Sequence, residues 1–81
     1  LALMNDPLVR DLAASFARWI LAQEGDAEAR AAAAIRRLWS RPARPEELAL
    51  AKRFLGTTPD FEAWHDWAHA LFLAQETIYL P

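Results

Sequence analysis

Every helix-breaking residue in this chain stands between helical stretches, never inside one. Gly25 and Gly56, and Pro7, Pro42, Pro45, Pro59 and Pro81, interrupt no long periodic segment. β-branched side chains are limited to Val9, Ile20, Ile35, Ile78 and three Thr, poor material for strands. Alanine, the strongest helix former, fills 18 of the 81 positions. The expected fold is therefore all-α: a compact bundle of about four helices with short turns, in a single domain over residues 1–81.

Alanine also thins the core. Hydrophobic residues make up 54% of the chain, but without Ala only 26 remain, enough for one modest core. The chain has no Cys, which excludes disulfides, c-type haem attachment and Cys-ligated zinc. No apolar run approaches the roughly 18–20 residues of a membrane span. A net charge of −2 argues against a dedicated nucleic-acid binder but leaves room for a local basic patch. The opening Leu1-Ala2-Leu3-Met4 lacks the basic region of a signal peptide. It has the character of the tail of an earlier helix. The expectation is an excised domain or an incomplete chain, with a trimmed, frayed end as the other reading.

Punctuation and periodicity place the helices at about 7–23, 27–40, 45–55 and 59–77. In the first, Asp6 is the expected cap, and Leu8, Val9, Leu12, Phe16, Trp19 and Ile20 form the inner face, with Arg10 away from it. Gly25 closes this segment, and Asp26 caps the next. There the inner stripe is Ala31, Ala34, Ile35 and Leu38. In the third helix, Glu46 and Glu47 occupy the first turn and Lys52 and Arg53 the last, both favourable to the helix dipole. Leu48, Ala51, Phe54 and Leu55 are expected to point inward. The fourth begins at Thr58-Pro59, with Thr58 as cap. Its apolar arc is Phe61, Trp64, Trp67, Ala68, Leu71, Phe72, Ala74 and Ile78.

Three constellations could carry chemistry. His65 and His69 stand at i and i+4 on one helix, the spacing that lets two imidazoles share a metal. Glu62 is the candidate third ligand. Asp66 stands where a zinc-protease helix needs a Glu, one methylene longer, so the base would be misplaced. The other reading is two histidines bordering the core in ordinary hydrogen bonds. Next, residues 30–44 hold Arg30, Arg36, Arg37, Arg41 and Arg44 and no acid. Guanidinium forks suit phosphate, but only Trp39 is interleaved as a stacking partner. Nearby Glu24, Glu28, Glu46 and Glu47 can neutralise the patch, giving a solvated face or a contact to a partner. Last, the four Trp at helical spacing are core, or a sugar platform if Trp39 or Trp64 is exposed. Ser15 and Ser40 are isolated, and neither a nucleophile elbow nor a phosphate-cradling Gly loop is present.

Three stretches in order carry a family resemblance. They are Leu1-Ala2-Leu3-Met4-Asn5-Asp6-Pro7-Leu8-Val9, then Arg41-Pro42-Ala43-Arg44-Pro45-Glu46-Glu47-Leu48-Ala49 with Phe54-Leu55, and His69-Ala70-Leu71-Phe72 through Glu76-Thr77-Ile78-Tyr79-Leu80. Together they resemble the end of the C-terminal domain of unknown function in planctomycete-type, cytochrome c-associated proteins. Each motif is mostly helix-boundary chemistry, so the specificity lies in their order and spacing. Ser40 departs from the usual Gly, Arg44 from a capping Thr, and Ala74-Gln75 from an Asn-containing turn. The lost Thr cap should cost about 1 kcal/mol unless another group substitutes. The resemblance implies a large, extracytoplasmic bacterial parent, often with a haem domain, and assigns no catalytic residue here.

The expected role is a non-catalytic structural or protein-interaction module, without a cofactor or an active site of its own. Its partners would be other domains of the parent or a separate protein. Leu1, Leu3, Leu73, Ile78, Tyr79 and Leu80, at the ends or off the main arc, are the candidate contact surface. The alternative is a ligand module, with metal at His65 and His69 or an anion at the Arg patch. The activity of the parent is left open.

Overall fold

A computed structural model of the chain describes residues 7–79, with side chains described for residues 7–74. Four helices follow in order: α1 (Pro7–Leu21), α2 (Ala27–Trp39), α3 (Pro45–Leu55) and α4 (Phe61–Tyr79). The described residues contain no strand. The protein is all-α. Asp6, expected to cap α1, lies outside the described residues.

The helix ends follow local chemistry. α1 stops at Leu21, two residues short of the expected end, because the ladder tightens there. The Ala22 N–H reaches both Arg18 O and Trp19 O, and Gln23 N–H donates to Ile20 O at 3.0 Å. Gly25 then turns the chain at φ 108°, where a Cβ would lie only 2.7 Å from Ala29 Cβ. Asp26 caps α2 by accepting from Ala29 N–H at 2.9 Å. α2 ends at Trp39, and Ser40 closes it in the left-handed region at φ 56°, ψ 34°, its N–H on Arg36 O. An L-residue is strained there, in a conformation that favours Gly.

The cap of α4 is Asp60, not Thr58. The Asp60 carboxylate accepts from Ala63 N–H at 2.9 Å, and its carbonyl accepts from Trp64 N–H at 3.1 Å. The helix accordingly starts at Phe61, two residues later than expected. Asp is also the better N-cap residue of the two.

The core forms where indole meets alanine. α1 contributes Ala13, Ala17 and Ile20; α2 contributes Ala31, Ala34 and Ile35; α3 contributes Ala51 and Leu55. Trp64, Trp67, Ala68 and Leu71 of α4 fill the space these leave. The Trp64 and Trp67 rings meet edge to face at 5.5 Å. α1 packs most extensively on α4. Contacts advance together along both, from Arg10 with Asp66 to Phe16 with Phe72, so the two helices run in the same sense. An up-down-up-down bundle would set them antiparallel.

Two inner faces differ from the sequence expectation. α1 is turned by roughly a quarter-turn about its axis. Leu8 and Leu12, placed inside by periodicity, are 64% and 53% exposed, while Ala13 and Ala17 are buried. On α3, Phe54 is 53% exposed, and Ala51 with Leu55 carries the contact. Ala74 of α4, also expected inside, is exposed. For α1 and α3 the reason is shared. Bulky indoles on α4 need flat, small-residue surfaces opposite them, so alanine faces turn inward and some larger side chains turn out.

Two stability outcomes follow. Trp64→Ala should remove about 3–5 kcal/mol by cavity formation, measured by urea denaturation. Ser40→Gly should add about 0.5 kcal/mol, since relief of the left-handed strain exceeds the entropy glycine brings to the unfolded chain. An unchanged or lowered urea midpoint for Ser40→Gly would show that the turn is not strained.

Candidate functional site

The histidine pair sits at the α1–α4 seam, and Arg10 joins it to α1. His65 is buried, and its Nε2 donates to the Arg10 carbonyl at 2.9 Å. The Arg10 guanidinium reaches back across the seam, donating to Asp66 Oδ1 at 2.9 Å and to His69 Nδ1 at 3.2 Å. Guanidinium has no acceptor, so Nδ1 of His69 must be the acceptor. The proton of a neutral His69 is then on Nε2, which is buried and without a hydrogen-bond partner among the described residues. Phe61 packs against the His65 ring at 5.5 Å. Arg10, assigned by periodicity to the outer side of α1, is thus half-buried and central to the seam.

These contacts bear on the metal question through geometry. His65 Nε2 and His69 Nδ1 face Arg10 atoms, a carbonyl in one case and a cation in the other. Glu62 is exposed. Among the described residues, no group of three or more His, Asp or Glu is placed to hold a metal ion.

Three of the five arginines of residues 30–44 make contacts within the fold. Arg30 donates through Nε to Gln23 O at 2.9 Å and so ties α2 to the end of α1. Arg37 lies over the Trp19 ring at 4.7 Å, and Arg41 over the Trp39 ring at 5.2 Å. Arg36 and Arg44 are exposed. The sugar-platform reading required an exposed indole. Trp64 is in the core, and Trp39 is half-buried beneath Arg41 with its Nε1 buried and without a hydrogen-bond partner among the described residues.

Arg41 makes the tightest polar contact between elements. Its guanidinium grips Glu47 with two bonds, Nη1 to Oε1 at 2.9 Å and Nη2 to Oε2 at 2.6 Å. Glu47 Oε1 also accepts from Arg44 N–H at 2.8 Å. This is the reciprocal half of a capping box. Arg44 itself provides no side-chain cap, and Glu47 supplies the side-chain acceptor at the start of α3. The Arg41 fork holds the Glu47 carboxyl down from 4.5 to about 2; partial burial opposes this, and the Arg44 N–H and the two Arg charges add to the lowering.

One cavity of about 220 Å³ lies between the start of α2 and the end of α3. Ala31, Leu48, Ala51 and Leu55 line it, with Glu28 and Lys52 also at its wall. It falls below the roughly 300–1,000 Å³ of typical ligand pockets. Elsewhere, Leu50 and Phe54 project from α3 and are 61% and 53% exposed. Of the contact surface expected from sequence, Leu73 is half-buried and engaged. Leu1, Leu3, Ile78, Tyr79 and Leu80 lie outside the described side chains. No helix among the described residues is long and apolar enough to cross a membrane. Comparison with protein-family models, with characterised proteins and with solved structures finds no match to the chain.

The sequence reading missed Arg10, Asp60 and the Arg41–Glu47 fork. Asp60 had a visible signal, as a preferred cap residue just before Phe61, and so did the fork. An Arg six residues before a first-turn Glu, across a Pro-stiffened connection, keeps the two within reach.

The fork gives a pH signature. The folded pKa of Glu47 is depressed, so its contribution is fully present above the unfolded value of 4.5 and is lost as pH falls toward about 2. Glu47→Gln keeps the cap acceptor but loses the ion pair. It should cost about 1 kcal/mol at neutral pH and flatten the stability profile across that acid window, measured by urea titration at each pH. An identical acid profile in the variant would show that the fork contributes nothing.

Proposed function

We propose that the chain is a non-catalytic helical module that works by contact with protein surfaces. The observation that carries this reading is the apolar ridge of Leu50 and Phe54, one helical turn apart on α3 and largely in solvent. Apolar side chains left out of a core this thin give up burial at roughly 1.5–3 kcal/mol each. A surface that a partner covers recovers that burial. Polar groups suited to chemistry support the reading from the other side. His65, His69, Asp26, Asp60 and Glu47 are engaged in interhelix ties or caps. On the family resemblance, the module belongs to a larger bacterial, extracytoplasmic protein and lies next to its other domains.

The double variant Leu50→Gln with Phe54→Gln tests this. If the two residues serve contact and not the fold, the variant stays folded within about 1 kcal/mol of the parent chain in urea titration. A loss near that of Trp64→Ala would place them in the core and end the proposal. Titrations with zinc ion and inorganic phosphate, followed by amide NMR, probe the ligand-module reading. Saturable shifts at His65 and His69, or along residues 30–44, at about micromolar ligand would replace contact with ligand binding.

A further inference from the structure

We propose that the α3 ridge docks on a second copy of this chain, with the two α3 helices antiparallel about a two-fold axis near Leu50. This rests on the contact reading above and names its partner.

The case begins with helical geometry. At roughly 100° per residue, Glu46, Leu50 and Phe54 follow one another along an i, i+4 ridge, on the side of α3 away from Ala51 and Leu55. Arg53 falls within roughly 20° of Glu46 around the axis, on the same flank of that ridge. All four side chains are exposed. Among the described residues, neither Glu46 nor Arg53 has an ion-pair partner, whereas Glu47 is held by Arg41. On this ridge one acid and one base are thus without an ion pair among the described residues, with Leu50 between them and Phe54 next to Arg53.

A two-fold axis brings each surface onto itself, so residue i meets j and j meets i. When two helices are antiparallel about such an axis, the same flank of each faces the same flank of the other. Centred on Leu50, position 46 of one helix lies level with position 54 of its mate. Arg53 of the mate lies about 1.5 Å along the axis from that level. Glu46 of each copy therefore faces Arg53 of the other, and both ion pairs form at once. Between them the Leu50 side chains meet each other, and each Phe54 covers the start of the opposing helix. A parallel pairing would instead set Glu46 level with Glu46 and Arg53 level with Arg53, leaving each acid about 10 Å along the axis from the mate's Arg53. The charge order of α3, acids first and bases last, is self-complementary only in the antiparallel sense.

One face of an 11-residue helix is a small interface. Specific stable complexes bury roughly 1,200–2,000 Å², so this association is weak, with a Kd on the order of 0.1 mM. Sedimentation equilibrium of the chain from about 10 μM to about 1 mM should show mass rising from one chain toward two. Glu46→Arg alone and Arg53→Glu alone should each weaken association by about tenfold or more, because each sets like charges together. The double variant Glu46→Arg with Arg53→Glu restores opposite pairs and should return Kd to within about threefold of the original. Leu50→Gln with Phe54→Gln should be monomeric throughout.

A monomer at about 1 mM overturns the proposal. So does association that ignores the single reversals, or single reversals that the double variant fails to rescue. If the Leu50→Gln, Phe54→Gln variant is folded while the parent chain is monomeric, the contact reading stands and a different protein is the partner. If that variant unfolds, both readings fail.

Discussion

The structure depends on two indoles seated against alanine. Trp64 and Trp67 give α4 a large apolar bulk at one end, and Ala13, Ala17, Ala31, Ala34 and Ala51 give the other three helices flat surfaces to receive it. Small side chains permit close helix approach, and the indoles fill what remains. In a chain with 26 non-alanine apolar residues, this division lets few large groups make a core. It also dictates the facing of the other helices. α1 presents its alanine row, so Leu8 and Leu12 turn out; α3 presents Ala51 and Leu55, so Leu50 and Phe54 turn out.

Polar contacts refine what packing sets. Arg10 spans the α1–α4 seam with its backbone carbonyl on His65 and its guanidinium on Asp66 and His69. Arg37 rests on Trp19 and couples α2 to α1. Arg41 stacks on Trp39 and grips Glu47, which couples the end of α2 to the start of α3. Of the five arginines of residues 30–44, Arg30, Arg37 and Arg41 make ties within the fold. Glu46 and Arg53, by contrast, stand exposed beside the Leu50 and Phe54 ridge, which gives that face both apolar area and a charge order.

Much of the fold was legible. Helix number, order and type followed from alanine content, breaker placement and scarce β-branching, and α3 has the expected limits at Pro45 and Leu55. The Asp26 cap and the α2 stripe of Ala31, Ala34 and Ile35 were legible for the same reason: each depends on neighbours within one or two turns. The candidate site was less so. Facing on α1 was misread because alanine carries little weight in an apolar arc, yet helix contacts select it. Asp60 was missed because Thr58 and Pro59 offered a plausible earlier start. Arg10 was assigned to the outer side because charge predicts exposure unless a partner stands 55 or more residues away.

The sequence by itself determined that this protein is helical, where its helices begin and end to within about two residues, and that Asp26 caps α2. These are short-range matters of propensity, backbone freedom and hydrogen bonding inside a few turns. The tertiary structure alone decided which face of α1 and α3 turns inward, that α1 and α4 run in the same sense, and which charges are consumed in ties between helices. Those outcomes depend on the shape opposite each helix. Here that shape is set by two tryptophans far along the chain, whose bulk makes small residues the better lining of the core.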